Sequence, residues 1–192
     1  MHKILASLGL VALAAQTLPA TADEFTPALS KYLQEEISTW MNDPVLVEAV
    51  MAQNAAHGSL SQSEIDAMDQ AWRAQVGDAD SPVIGPVLTN PAADFLRARV
   101  SASGGVITEA FTMDAHGLNV AASDVTSDMW QGDEEKFTMT YPMGPGAVHL
   151  SDVEFDESTQ SYQGQISVPL LHPETGEPVG ALTVGINAEA LM

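Results

Sequence analysis

Residues 113–124 read MDAHGLNVAASD, and residues 126–136 read TSDMWQGDEEK. Asp114-Ala115-His116-Gly117 has aspartate first and glycine last, a composition typical of a four-residue turn. The segments on either side, Val106–Met113 and Leu118–Ser123, are rich in residues that favour strands. The stretch therefore predicts an antiparallel β-hairpin that is followed by a long polar segment.

Three more strands are predicted after the polar segment, over residues 147–155, 162–169 and 179–186. Their connections are short and rich in turn-forming residues, which is typical of an antiparallel meander. Pro169 is expected at a strand end or a sheet edge, because proline has no N–H to donate to a neighbouring strand.

The sequence before residue 80 has a helical pattern instead. Its apolar residues recur three or four apart, as in Leu29, Leu33, Ile37 and Trp40. Asp43-Pro44 predicts the start of a second helix, and the capping box Ser61-x-x-Glu64 predicts a third. A further short helix is expected over residues 91–101.

Helices followed by strands indicate the α+β class. We expect one domain over residues 23–192, with a helical layer at about 23–80 and a sheet layer at about 81–192. Residues 1–22 have the features of a signal peptide: Lys3 near the start, an apolar run from Ile4 to Ala15, and small residues at Ala20 and Ala22. Cleavage is predicted after Ala22, which would place the mature protein in the periplasm.

The composition excludes several classes of function. The chain has 26 Asp+Glu against 6 Lys+Arg and a formal net charge of −20, so it lacks the basic surface of a nucleic-acid binder. It has no cysteine, which excludes disulfides, thiolate metal sites and cysteine nucleophiles.

Residues 113–124 and 126–134, within the stretch quoted at the outset, resemble the signature stretch of Cache (PDC) domains, the extracytoplasmic PAS-like sensor domains of bacterial receptors. The closing segments, residues 166–170 and 176–184, are similar to the final hairpin of that family. The resemblance implies a PAS-like five-stranded antiparallel sheet with a helical lead-in packed on it. It also implies a pocket for a small molecule beneath the segment that joins the second and third strands, and it implies no catalysis.

Within this resemblance, the ligand-contact residues are Ser123, Asp124, Trp130, Lys136 and Tyr141. Trp130 and Tyr141 would form an aromatic wall, Lys136 would pair with a ligand carboxylate, and Asp124 would pair with an ammonium group. The expected ligand is a metabolite of the amino acid or organic acid class. The expected partners are a membrane receptor or kinase and a second copy bound through the N-terminal helices.

No cofactor or metal is predicted. Asp124, Thr126, Asp128 and Glu135 have the spacing of an EF-hand calcium loop, but Met129 occupies the position that requires glycine. The sequence has no nucleophile elbow around Ser123 and no glycine-rich phosphate loop. Two alternatives stay open: a periplasmic accessory or scaffold protein with a vestigial pocket, and a small hydrolase in which His116 or His149 approaches Ser123.

Overall fold

The computed structural model describes residues 22–78, 80–156 and 161–191 of the 192-residue chain. The predicted signal peptide therefore lies outside the described residues, apart from Ala22 at the start of the first helix. In the described part of the chain, no helix combines the length and the apolar character needed to cross a bilayer.

Most helices come first along the chain, and the strands follow with one short helix among them. The helices are α1 (Ala22–Glu35), α2 (Pro44–His57), α3 (Gln62–Arg73), α4 (Gly85–Leu88), α5 (Pro91–Ala102) and α6 (Glu135–Thr138). The strands are β1 (Ile107–Met113), β2 (Asn119–Ala122), β3 (His149–Leu150), β4 (Glu154–Asp156), β5 (Ser161–Leu171) and β6 (Pro178–Asn187). Short 3-10 segments are found at Ile37–Thr39, Tyr141–Met143 and Ala188–Leu191. Helices thus continue to residue 102, within the range that the sequence assigned to the sheet layer.

The predicted helix starts are confirmed. The Asp43 carboxylate accepts the backbone N–H of Val45 at 3.0 Å, with Pro44 in the first turn of α2. Ser61 and Glu64 form the predicted capping box of α3. Each of these signals is local in sequence and satisfies N–H groups that a helix start leaves unpaired.

The strands form one antiparallel sheet in the order β2-β1-β6-β5-β3, and β4 also pairs with β5. Because β3 and β4 lie end to end beside β5, six strands fill five positions across the sheet. This confirms the α+β class and the five-stranded antiparallel sheet with a helical lead-in.

One sequence expectation about strands is wrong, and the expectation of a sheet edge at Pro169 is confirmed. The single strand predicted over residues 147–155 is two short strands, β3 and β4, separated by residues 151–153. Pro169 lies inside β5, paired with Ala181 of β6. It is tolerated there because the β3 pairing ends at Ser167, so its missing N–H leaves no neighbouring carbonyl without a partner.

Both faces of the sheet carry buried apolar residues, and the second face also carries a buried polar pair. One face carries apolar residues of the main core, including Ala110 of β1, Leu182 and Val184 of β6, and Ile166 of β5, and it packs against the helices α1, α2 and α5. Side chains alternate along a strand, so the neighbouring residues face the other way. This second face carries Ser167 and Thr183, which hydrogen-bond to each other at 3.0 Å in a fully buried position.

Candidate functional site

Asp114, the first residue of the hairpin turn, is a buried carboxylate with four hydrogen-bond donors around it. Its side chain is fully buried, and its Oδ1 accepts the backbone N–H groups of His116 (2.8 Å) and Leu118 (3.0 Å). Its Oδ2 lies 2.9 Å from Gln53 Nε2 and 2.8 Å from His57 Nδ1, both on α2. A buried charge is tolerated when it is paired and hydrogen-bonded in this way.

Asn54, on the same helix, makes a second connection to the sheet. Its side-chain oxygen accepts the N–H of Ala115 at 2.8 Å, and its nitrogen donates to the carbonyl of Val179 at 2.7 Å. We refer to Gln53, Asn54, His57, Asp114 and Ala115 as the hairpin clamp. The clamp fixes the C-terminal half of α2 to the β1–β2 turn and to the start of β6.

The segment after β2 is bound to the hairpin and to α3. Trp130 Nε1 donates to the carbonyl of His116 at 2.9 Å, and its backbone N–H donates to Asp69 of α3 at 3.1 Å. Trp72, which is fully buried, donates from Nε1 to the carbonyl of Thr126 at 2.9 Å. Gly132 is required here, because a Cβ at this position would overlap Nε1 of Trp130. Most of the signature stretch is therefore structural.

A polar cleft of about 540 Å³ opens on the second face of the sheet, beyond the end of this segment. Its lining residues come from β1, from the start of α6, and from β4, β5 and the loop before β4: Glu109, Glu134, Glu135, Lys136, Ser151, Asp152, Glu154, Phe155, Gln163, Gly164 and Gln165. We call this set the polar cleft. Five carboxylate side chains face one ammonium group, so the cleft favours a ligand that carries positive charge.

Lys136 is the basic residue among those that line the polar cleft, and contacts with its neighbours fix the position of its ammonium group. Its ammonium group lies 2.9 Å from the Glu134 carboxylate and donates to Gln131 Oε1 at 3.1 Å. It also lies 5.5 Å from the centre of the Phe111 ring. The Lys136 side chain is 14% exposed, so the neighbouring groups fix its positive charge at the wall of the cleft.

The structure brings one of the five predicted ligand-contact residues, Lys136, to the polar cleft. Ser123 accepts the N–H of Ala110 at 2.9 Å through its hydroxyl oxygen. Asp124 is exposed, and its carboxylate accepts the next backbone N–H at 2.7 Å. Trp130 is bound to the hairpin as described above, and Tyr141 stacks on Phe137 with ring centres 5.3 Å apart. The contact role of all five stays a prediction.

The residues considered for a hydrolase or a calcium loop interact elsewhere. His116 Nε2 lies 2.9 Å from the carbonyl of Gly58, and His149 Nε2 lies 3.9 Å from the Glu135 carboxylate. The Asp128 carboxylate contacts Arg73 at 3.3 Å. Within the ranges described, no three His, Asp or Glu side chains come together in a group that could hold a metal ion.

Sequence reasoning missed the strand residues that line the polar cleft. Glu109 is a charged residue inside an otherwise strand-forming segment, and Gln163 and Gln165 are two apart on β5 and so share a face. Gln165 Nε2 donates weakly to Glu109 Oε1 at 3.4 Å, across the intervening strand β6. Polar residues two apart on a predicted strand indicate a polar face of the sheet, and this pattern could have predicted that Gln163 and Gln165 line the cleft.

Comparisons with known proteins give coarse likenesses only. No family model matches the chain, and no curated protein matches it. The solved structures that match include the sensor domain of the histidine kinase DctB from V. cholerae, with a TM-score of 0.39 and 11% identity. That match covers 88% of this chain and 57% of the DctB domain.

Two further matches are of the same kind. The ligand-binding domain of the Campylobacter jejuni chemoreceptor Tlp3, solved with 4-methylisoleucine, has a TM-score of 0.40 and 12% identity, over 86% of this chain and 62% of that one. The extracellular domain of the putative histidine kinase rpHK1S-Z16 has a TM-score of 0.43 and 16% identity, over 73% and 60%. The chain thus spans about three fifths of the length of the solved domains it matches, and these are sensor domains of histidine kinases and chemoreceptors.

Proposed function

We propose that this chain is an extracytoplasmic, Cache-like sensor domain that binds a small metabolite in the polar cleft. The observation that carries the proposal is the position of Lys136. The resemblance in sequence expects a ligand-contact lysine in the segment between the second and third strands, and Lys136 lies there at the wall of a cleft of about 540 Å³. That volume is within the range of small-molecule sites, roughly 300–1,000 Å³.

The charges of the polar cleft suit a zwitterionic ligand of the amino acid class. Lys136 would bind the ligand carboxylate, and in doing so it would exchange its contact with Glu134 for one with the ligand. The ligand ammonium group would face the carboxylates of the opposite wall, among them Glu109 and Glu154. This assignment gives the ammonium group to the cleft rather than to the exposed Asp124 that the sequence suggested.

The occupied state would be read by a membrane-bound receptor or kinase, and the exported chain would act in the periplasm. A second copy bound through the N-terminal helices is part of the same proposal. No catalytic step is assigned, because Ser123, His116 and His149 hydrogen-bond or pair with other groups.

A thermal-shift screen of residues 23–192 tests the ligand site directly. The panel contains amino acids, organic acids, polyamines and divalent cations. A ligand at 100 times its dissociation constant stabilises the folded state by about 2.7 kcal/mol, roughly 5–10 °C for a domain of this size. We expect an amino acid to give such a shift.

Matched variants locate the binding. Lys136→Ala should reduce the shift to about half or less, whereas Lys31→Ala, which removes an exposed lysine paired with Glu35 on α1, should leave it unchanged. An undiminished shift in Lys136→Ala would place the ligand elsewhere. No shift from any compound would favour the alternative, a periplasmic accessory protein with a vestigial cleft, which the structural role of Trp130 also supports.

A further inference from the structure

Arg99 differs from the other bases of the described chain. Lys31, Arg73, Arg97 and Lys136 each form an ion pair with a carboxylate of this same chain. Among the residues that the structure describes, Arg99 forms neither an ion pair nor a hydrogen bond through its side chain. This is unexpected in a protein with 26 acidic residues and 6 Lys+Arg.

Two aromatic rings hold the Arg99 guanidinium in place. Its Cζ lies 4.6 Å from the centre of the Phe95 ring, one turn earlier on α5, and 5.8 Å from that of Trp40. Trp40 and Phe95 themselves pack edge to face, with centres 6.1 Å apart. A guanidinium that lies against rings keeps its N–H groups free for an acceptor, and its orientation is fixed before the acceptor arrives.

The guanidinium lines a small pocket of about 100 Å³ between α1 and the end of α5. Tyr32, Glu36, Thr39 and Ser103 also line it. In the described part of the chain, the Tyr32 hydroxyl has no hydrogen-bond partner. Burial, with a smaller contribution from the Glu36 charge, raises the pKa of Tyr32, so the hydroxyl remains a donor at neutral pH.

We infer that this pocket binds a single carboxylate group, which accepts N–H bonds from Arg99 and an O–H bond from Tyr32. Arginine matches the geometry of a carboxylate with two parallel N–H bonds, and a volume of about 100 Å³ suits a group of this size. The carboxylate comes from a free small acid or from an acidic side chain of a second copy. The site is independent of the proposed sensor function, because none of its lining residues lines the polar cleft.

Glu36 sets the strength of the site. Its carboxylate lines the same pocket and repels an incoming anion. We therefore expect Glu36→Gln to bind a carboxylate more tightly than the natural chain does.

The test is a titration with sodium acetate at constant ionic strength, with acetate replacing chloride. The arginine Nε–H resonances are followed by NMR, since each reports on one side chain. The Arg99 resonance should shift to saturation, and that of Arg97, which already pairs with Asp94, should not. Arg99→Lys, which keeps the charge but loses the paired donors, should bind acetate at least about tenfold more weakly. Arg97→Lys is the matched control and should bind normally.

Sedimentation velocity separates the two sources of the carboxylate. If a second copy supplies it, the natural chain should self-associate, and either acetate or Arg99→Lys should dissociate the complex. If a free acid supplies it, the chain should sediment as a monomer while the Arg99 resonance still responds to acetate. An Arg99 resonance that ignores acetate, with self-association unaffected by Arg99→Lys, would overturn the inference.

Discussion

The hairpin clamp and the polar cleft both include residues near the β1–β2 hairpin, yet they are built in opposite ways. In the clamp, the fully buried Asp114 has four donors around it at 2.8–3.0 Å. In the cleft, five carboxylates share one ammonium group and lie in contact with solvent. The clamp is saturated by its own chain, whereas the cleft has polar groups to offer to another molecule.

This difference separates stability from binding. Most of the stretch that resembles a known family most specifically, residues 113–135, fixes the hairpin to α2 and α3. The groups that can act on a ligand begin at the end of that stretch, with Glu134, Glu135 and the adjacent Lys136, and continue on strands that carry no motif. In this protein, most residues of the motif stabilise the structure beside the polar cleft, and few of them line the cleft.

Removing the Asp114 carboxylate should have the largest effect on stability. Asp114→Ala removes the buried acceptor of His57 and of two backbone N–H groups, and one of the two acceptors of Gln53, which should cost about 3–5 kcal/mol. Urea unfolding followed by circular dichroism measures the loss. The exposed Asp124→Ala should change stability by less than about 0.5 kcal/mol. If the two variants lost the same free energy of unfolding, the hydrogen bonds of the buried Asp114 would contribute no more to stability than the exposed Asp124.

A methyl group at Gly132 should have the next largest effect. The added Cβ would overlap Trp130 and crowd the carbonyl of His116, the two groups joined by the indole hydrogen bond. Overpacking of this kind costs about 1–3 kcal/mol. Gly85→Ala, where nothing lies within 4 Å of the new methyl, is the control and should be neutral or slightly stabilising. Thermal unfolding of both variants measures the effect. A Gly132→Ala variant with the melting temperature of the natural chain would contradict the prediction.

Loss of the Lys136 side chain should affect stability little. The Lys136 side chain is 14% exposed and its partner Glu134 is 40% exposed, so the ion pair keeps contact with solvent, and such pairs contribute about 1 kcal/mol. We expect the free energy of unfolding of Lys136→Ala to fall by no more than that. If Lys136→Ala lost as much stability as Asp114→Ala, Lys136 would be a structural residue and the distinction between the clamp and the cleft would be wrong.

The smallest effect concerns an exposed carboxylate that is hydrogen-bonded without being buried. Ser61 donates from its hydroxyl and its backbone N–H to Glu64, and these bonds lower the pKa of Glu64 below its ordinary value of 4.5. A lowered pKa in the folded state gives stability above the unfolded pKa, and it is lost as pH falls through the folded pKa.

Glu64→Gln should therefore be slightly less stable than the natural chain at neutral pH, with the difference shrinking below about pH 4.5. Unfolding of both proteins between about pH 3 and pH 7 measures this. A difference that stays constant with pH would show that the Glu64 charge contributes nothing to the capping box.

The sequence predicted what depends on neighbours in the chain. The caps at Asp43 and Ser61 and the turn at Asp114 follow from side chains that bond the backbone a few residues away. It did not predict the break between β3 and β4, because that break depends on how residues 151–153 meet β5. It assigned Trp130 to a ligand wall, since nothing local reveals that its indole donates to His116, 14 residues away. Glu109 and Gln165 meet only through the register of three strands.

The central claim is that ligand binding belongs to the polar cleft and stability to the hairpin clamp. Isothermal titration of the strongest ligand from the panel into the natural chain, Lys136→Ala and Asp124→Ala tests it most directly. We expect Lys136→Ala to remain folded and to bind at least about tenfold more weakly, because a charge-assisted hydrogen bond is lost, while Asp124→Ala binds as the natural chain does. Unchanged affinity in a folded Lys136→Ala would contradict the claim.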